Sequence, residues 1–123
     1  MPRYQPRGRG PAAPLVEVTF SSGGKSRRVP GIIDTGASVT QVPQPVVQFL
    51  GLRRTGEITF KNADDSEVTQ PSYKAEVSFE GMDFELIEVV SSEFPLALVG
   101  RDILNGLITH LDGPAQEFSV TRP

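Results

Sequence analysis

The stretch Ile32-Ile33-Asp34-Thr35-Gly36-Ala37-Ser38 runs from apolar residues into an acid and then a glycine, with a hydroxyl side chain on either side. Isoleucine is typical of buried strands, and glycine lets the backbone turn sharply. The pattern predicts a strand that ends in a turn and presents the Asp34 carboxylate at its end. Turns of this kind are most often structural, so the rest of the chain decides what this one does.

Residues on both sides of the stretch predict short strands. Residues 15–20 alternate apolar and polar side chains, residues 21–25 suit a turn, and residues 27–33 lead to Asp34. Together they make a hairpin whose far end is the acid. Downstream, a proline suits the first turn of a short helix and a glycine suits its end. The apolar residues of this helix are predicted to lie in the core: Val46, Val47, Phe49 and Leu50.

A long hairpin is predicted over residues 56–79, because apolar and polar side chains alternate in its second arm and recur on one face of its first. Its tip is small and polar, which favours a turn and disfavours burial. Such a hairpin acts either as a lid over a cleft or as an ordinary exposed hairpin, and both readings stay open. The candidate lid residues are Asn62, Ala63, Asp64, Asp65 and Ser66.

A second informative stretch covers residues 96–106. An apolar run ends at a glycine, and a short helix follows with an acid in its first turn, where it complements the helix dipole. Taken alone, this is a joint that packs a strand against a helix. Residues 107–111 and 116–121 then complete a terminal hairpin. The residues of interest in the joint are Leu98, Val99, Gly100, Arg101 and Asp102.

Length and composition predict one all-β domain. A chain of 123 residues supports a single core, and 12 glycines and 11 prolines favour short strands and tight turns over long helices. One or two short helices are expected beside the strands. Residues 1–14 alternate three arginines with proline and glycine, and they are predicted to be a disordered basic tail. The folded domain is expected over residues 15–123.

Composition also excludes several kinds of chemistry. The chain has no cysteine and one histidine, His110, which leaves little support for a thiolate or Ser-His nucleophile, a metal site or a cofactor. Without the tail, nine Lys and Arg face fifteen Asp and Glu, so a nucleic-acid partner for the folded domain is not expected. No apolar run reaches the roughly 18 residues of a membrane span. With no signal peptide at the N-terminus, the cytoplasm is the expected location.

The order of these motifs resembles the single-domain retropepsins, the aspartic proteases of retroviruses and retrotransposons and their cellular relatives, including bacterial ones. Asp34-Thr35-Gly36-Ala37 matches the active-site loop of that family, and Leu98-Val99-Gly100 matches the apolar pair and glycine that support the loop from below. Residues 58–78 fall where the family carries its flap. The resemblance covers about residues 15–121 and implies a small closed barrel-like fold with one active-site loop and one flap per subunit.

The resemblance implies that Asp34 is catalytic, with loop support from Thr35, Gly36, Ala37 and Ser38. Peptide hydrolysis without a metal needs one group that takes a proton from water and another that gives one to the carbonyl oxygen, and two carboxylates sharing a proton do both. The chain has one Asp-Thr-Gly, so the second carboxylate would come from another copy in a C2 homodimer. Ser38 departs from the retroviral pattern, because it cannot pair with Arg101 as the usual acid does.

Three functions stay open from sequence: a homodimeric aspartic endopeptidase acting on peptides or proteins, a weak or inactive module for dimerisation or peptide binding, and a protease domain cut from a larger polyprotein. The intact Asp34-Thr35-Gly36 favours catalysis, because binding alone does not need a carboxylate there. If terminal strands build the dimer, residues 116–121 are the candidates, and deleting them should yield monomers.

Overall fold

The secondary structure is mostly strand. The fold comes from a computed structural model that describes residues 2–7, 10–61 and 64–123. Strands hold 62% of the residues and helices 9%, which confirms the predicted all-β class. The strands are β1 (Gln5–Arg7), β2 (Gly10–Ala13), β3 (Leu15–Ser22), β4 (Lys25–Ile33), β5 (Gln41–Pro43), β6 (Arg54–Lys61), β7 (Glu67–Phe79), β8 (Met82–Ser92), β9 (Ala97–Val99), β10 (Ile108–Asp112) and β11 (Glu117–Thr121); the helices are α1 (Gln44–Leu50) and α2 (Arg101–Leu104).

Six strands form a closed barrel. They pair in the order β3-β4-β9-β5-β8-β7, and β7 returns to pair with β3. The β4–β9 and β5–β8 pairs are parallel, whereas β3–β4 and β7–β8 are antiparallel. In β3 the alternation seen in the sequence puts Val16, Val18 and Phe20 inside and Glu17 outside. Burying each such apolar side chain contributes about 1.5–3 kcal/mol before the entropy cost of ordering it.

The predicted long hairpin is confirmed as β6 and β7. Within the part of the chain that the structure describes, β6 pairs with β7 alone and stands outside the closed ring, while the C-terminal half of β7 belongs to the barrel. The described side chains of β6 are exposed or at most half-buried. The hairpin therefore extends from the barrel next to β8.

Helix α1 corrects one predicted core residue. Val46, Val47 and Leu50 are buried as expected, but 44% of the Phe49 side chain is exposed. A helix of seven residues presents one buried stripe, and Phe49 falls on its rim. The Arg27 guanidinium lies 3.8 Å from the centre of the Phe49 ring, so a cation–π contact covers part of the ring instead of the core.

The N-terminal segment differs from the predicted disordered tail. Within residues 1–14 the structure describes two short paired strands, β1 and β2. The Tyr4 N–H donates to the Gln116 carbonyl at 2.8 Å, and the Phe118 N–H donates to the Pro2 carbonyl at 2.9 Å. Extended proline-rich backbone can pair through the groups that proline leaves free, and Tyr4 adds a ring contact with Phe118. Met1, Gly8 and Arg9 lie outside the described residues.

Candidate active site

The end of β4 fixes the position of Asp34. Ile33 pairs with Val99 of β9 in parallel register, and its N–H donates to the Pro14 carbonyl at 3.0 Å. The Asp34 N–H in turn donates to the Val99 carbonyl at 3.0 Å. The chain is therefore held from both sides at the residue before the turn, and the half-buried Asp34 side chain starts from a rigid backbone.

The turn after Asp34 closes on the carboxylate itself. The Gly36 N–H donates to Asp34 Oδ1 at 2.9 Å, and the Ala37 N–H donates to the Asp34 carbonyl at 3.2 Å. A Cβ on Gly36 would lie 3.1 Å from Asp34 Oδ1, which is tighter than ordinary contact. Among the described residues, Asp34 Oδ2 has no hydrogen-bond donor. One oxygen is thus fixed by the loop, and the other remains available to a water or a second carboxylate.

Arg101 ties the loop to the second motif. Its N–H donates to the Ala37 carbonyl at 2.8 Å, and its Nη1 donates to the Thr35 carbonyl at 2.8 Å. Within the described ranges Arg101 makes no ion pair, in keeping with Ser38 being unable to offer one. It supports the loop through backbone carbonyls, and the exposed Thr35 and Ser38 side chains stay free of it.

A threonine that sequence reasoning missed anchors the other side of the loop. The Thr40 hydroxyl donates to Asp102 Oδ1 at 2.8 Å, and the Thr40 N–H donates to Asp102 Oδ2 at 3.0 Å. The same hydroxyl accepts the Gly100 N–H at 3.2 Å. One signal was present: strand alternation puts Thr40 on the buried side with Val42, and a buried hydroxyl needs partners.

We expect Thr40→Val to lower the free energy of unfolding by roughly 1–3 kcal/mol, because it leaves a buried N–H and part of a carboxylate without their partner. Thr40 is fully buried, so water cannot replace the hydroxyl. Denaturant unfolding measures the change. Thr121→Val is the matched control, since this exposed hydroxyl makes no hydrogen bond with the described residues, and it should shift stability by less than about 0.5 kcal/mol. Equal losses in both variants would contradict the anchor.

At the hairpin tip, Asn62 and Ala63 lie outside the described residues. Beyond them the Ser66 hydroxyl donates to Asp64 Oδ1 at 2.6 Å, and the Ser66 N–H donates to the same oxygen. These bonds hold the pKa of the Asp64 carboxyl below its usual value of 3.8. The ionised carboxylate therefore stabilises the turn above that pH, and this stabilisation is lost as the pH falls through the lowered pKa. Asp65 has φ 68°, a left-handed conformation suited to a turn.

An open cavity of about 820 Å³ lies between the hairpin and the barrel. Phe60 and Gln70 line it from the two hairpin arms, and Phe94 lines it from the loop before β9. Among the described residues, the tip residues Asp64 to Ser66 do not line this cavity. Among the described residues, the hairpin contributes to this cavity through its arms, at Phe60 and Gln70.

The described residues hold no group of His, Asp and Glu placed to bind a metal ion. They also contain no helix with the length and apolar character needed to cross a membrane.

Comparison with known proteins gives a match in structure. No family model and no curated protein matches the sequence. The foamy viral protease-reverse transcriptase in complex with an RNA/DNA hybrid is similar, with a TM-score of 0.59 and 22% identity over 76% of this chain and 12% of that chain. The chain has a retropepsin-like fold. The dRH form of that viral protein with double-stranded DNA gives a TM-score of 0.52 and 21% identity, over 75% of this chain and 15% of that one.

The retropepsin-like match establishes the fold and leaves the activity to be argued from the site. The chain spans a small part of the length of either viral protein. At about a fifth identity, side-chain roles do not transfer with the fold.

Proposed function

We propose that this retropepsin-like chain is an aspartic endopeptidase whose active site is completed by a second copy. The observation that carries the proposal is the setting of Asp34. Its backbone is fixed by Val99, one carboxylate oxygen accepts the Gly36 N–H, and the other oxygen has no donor among the described residues. A carboxylate with one oxygen in this state can bond a water or a second carboxylate from outside the subunit. Hydrolysis needs two, and the second would come from Asp34 of the other copy across a two-fold axis.

The proposed reaction uses one shared proton. Two carboxylates about 3 Å apart do not both ionise readily, so the pair holds one proton between them. The ionised Asp34 takes a proton from a water as the water oxygen attacks the peptide carbonyl, while the protonated Asp34 gives its proton to the carbonyl oxygen. The tetrahedral adduct then collapses and its C–N bond breaks. The leaving nitrogen takes the proton that the first Asp34 removed from water, and a hydroxyl of the adduct returns its proton to the second Asp34. Thr35 hydroxyls would interlock across the axis and hold the two loops together.

The proposed substrate is an extended peptide. The cavity between Phe60, Gln70 and Phe94 is open, and strand-like backbone flanks it on both sides. A peptide that adds itself between the hairpin and the barrel would gain main-chain hydrogen bonds, while its side chains would enter pockets on alternate sides. Asp34 is not among the described residues that line this cavity. In the proposal the peptide therefore extends from the cavity to the Asp34 loop, with the hairpin arms as the lid and the barrel as the floor.

The terminal hairpin is the proposed dimer contact, with β10 rather than β11 at its centre. Phe118 is fully buried, and the outer edge of β11 already pairs with Arg3 at Glu117. Within the described residues β10 pairs with β11 alone, and Ile108 and Leu111 are 56% and 45% exposed. An open strand edge with exposed apolar side chains is suited to pairing with its own copy.

Ile108→Glu is expected to shift the protein from dimer to monomer, since it places a charge in the proposed contact and brings two like charges together across the axis. Analytical sedimentation measures the oligomeric state. This variant is a sharper probe than removing residues 116–121, because that deletion would also remove the core residue Phe118. Leu86→Glu is the control: Leu86 is 65% exposed on β8, and its replacement should leave the dimer intact. Dimers of unchanged stability in Ile108→Glu would refute the contact.

The function is tested by cleavage of a mixed peptide library across acidic to neutral pH, with pepstatin in parallel and Asp34→Asn purified in the same way. We expect cleavage by the wild type that pepstatin blocks and the variant lacks. Cleavage that survives in the variant would point to a contaminant or another mechanism. A folded, dimeric wild type that cuts nothing would favour the peptide-binding or dimerisation module.

A further inference from the structure

A second cavity lies at the opposite end of the molecule from Asp34. It has a volume of about 370 Å³ and is lined by the β3–β4 turn, the end of α1 and the start of β6. Lys25 is the first residue of β4 and Asp34 follows the last, so the two ends are roughly 25 Å apart along the strand. It also shares no lining residue with the cavity proposed to hold the peptide, so the two cavities are separate.

Three cations line this cavity, and none of them makes a salt bridge with the described residues, although Glu88 lies opposite Lys74 in the β7–β8 pair. Lys25, Arg53 and Lys74 all contribute to its wall, and no carboxylate among the described residues does. Neighbouring cations behave differently, since Arg28 pairs with Glu17 and Arg54 bonds Glu57. The hydroxyl residues Ser22 and Thr55 also line the cavity and are potential hydrogen-bond donors. We call the cavity that Lys25, Arg53 and Lys74 line the cationic cavity.

Arg27 adds to the positive surface beside the cavity, because it and Lys25 both lie against the exposed ring of Phe49. Arg27 lies 3.8 Å and Lys25 5.8 Å from its centroid, so the ring holds both cations on this side of the barrel. The chain as a whole is acidic, with fifteen Asp and Glu against twelve Lys and Arg and a net charge of −3. A local concentration of unpaired positive charge on an acidic domain marks a place where oxyanions are attracted and held.

We propose that the cationic cavity binds an acidic protein segment, with side-chain carboxylates entering between Lys25, Arg53 and Lys74. The cavity is compact, which suits a few carboxylates on a flexible chain better than a long, regular polyanion. The net negative charge of the domain also opposes nucleic acid, which would have to run beyond the positive surface. Charge-assisted hydrogen bonds from two ammonium groups and a guanidinium supply the attraction.

The test is binding of a fluorescent oligoglutamate peptide, followed by anisotropy at low and moderate salt. We expect saturable binding that weakens as salt is added. Lys25→Glu and Lys74→Glu should each lower the affinity roughly tenfold, because each replaces an attraction by a repulsion. Both side chains are exposed, so the variants should keep the melting temperature of the wild type. Lys61→Glu makes the same charge change on the far hairpin arm and should alter the affinity by less than about twofold.

Three results would overturn the proposal. The first is no saturable binding of oligoglutamate to the wild type. The second is an equal loss in Lys61→Glu, which would show that net charge alone is being measured. The third is tighter binding of a single-stranded oligonucleotide with the same sensitivity to Lys25→Glu, which would make the partner a nucleic acid. None of these readouts depends on peptide cleavage, so the test stands apart from the proposed protease activity.

Discussion

Asp34→Asn is expected to reduce kcat/KM for peptide cleavage by about a thousandfold or more, with little change in fold or dimerisation. The amide keeps the shape of the side chain and can still accept the Gly36 N–H bond. It cannot take a proton from water or share one with its counterpart, so general acid–base catalysis is lost. Asp83→Asn makes the same chemical change on the exposed β7–β8 hairpin and should retain full activity. An Asp34→Asn enzyme within about tenfold of wild type would exclude the proposed mechanism.

Mixing the two proteins tests whether the site is shared. If each active site needs one Asp34 from each copy, a dimer with one Asn is inactive, and freely exchanging equal amounts of wild type and Asp34→Asn keep about a quarter of the activity per total protein. If each subunit works alone, about half remains. The measurement needs a dimer that exchanges subunits during incubation, which is checked by mixing tagged and untagged wild type and recovering mixed dimers. A value near one half would place the whole active site in one chain.

Much of the fold is predictable from the sequence because its signals are local. Alternation in β3, the glycine that ends α1 in a left-handed conformation, and the polar tip of the long hairpin each act over a few residues. The Asp34 turn is likewise predicted by local signals. Its main features are an apolar strand, an acid and a glycine whose N–H bonds that acid two residues back.

The parts that sequence reasoning missed depend on distant contacts. Thr40 and Asp102 are 62 residues apart. The sequence predicts that Asp102 complements the helix dipole, but its bond to Thr40 appears only when the start of β5 and α2 are brought together. Tyr4 belongs to a stretch with the composition of a linker, and pairing with the last strand gives it structure. Phe49 fits a helical apolar pattern, yet Arg27 of β4 covers part of its ring. In each case tertiary contacts override a local preference that was read correctly.

Gly100→Ala is expected to destabilise the protein by roughly 1–3 kcal/mol and to lower any activity with it. Gly100 has φ −95°, which suits any residue, so backbone conformation does not require a glycine there. The requirement is space. A Cβ would lie 2.8 Å from the carbonyl carbon of Val39 and 2.9 Å from the carbonyl oxygen of Ala37. These are backbone atoms, so the loop itself has to move rather than a side chain.

Because the Arg101 N–H holds the Ala37 carbonyl at 2.8 Å, a shift of that loop carries Asp34 and the turn with it. Thermal unfolding with and without a peptide inhibitor separates the two effects: loss of stability shows overpacking, and loss of inhibitor binding in the folded state shows a displaced carboxylate. Gly113→Ala is the matched control, since a Cβ there meets nothing within 4 Å, and it should leave both readouts unchanged. If Gly100→Ala behaved like Gly113→Ala, the close packing of the second motif under the Asp34 loop would not be what positions the carboxylate.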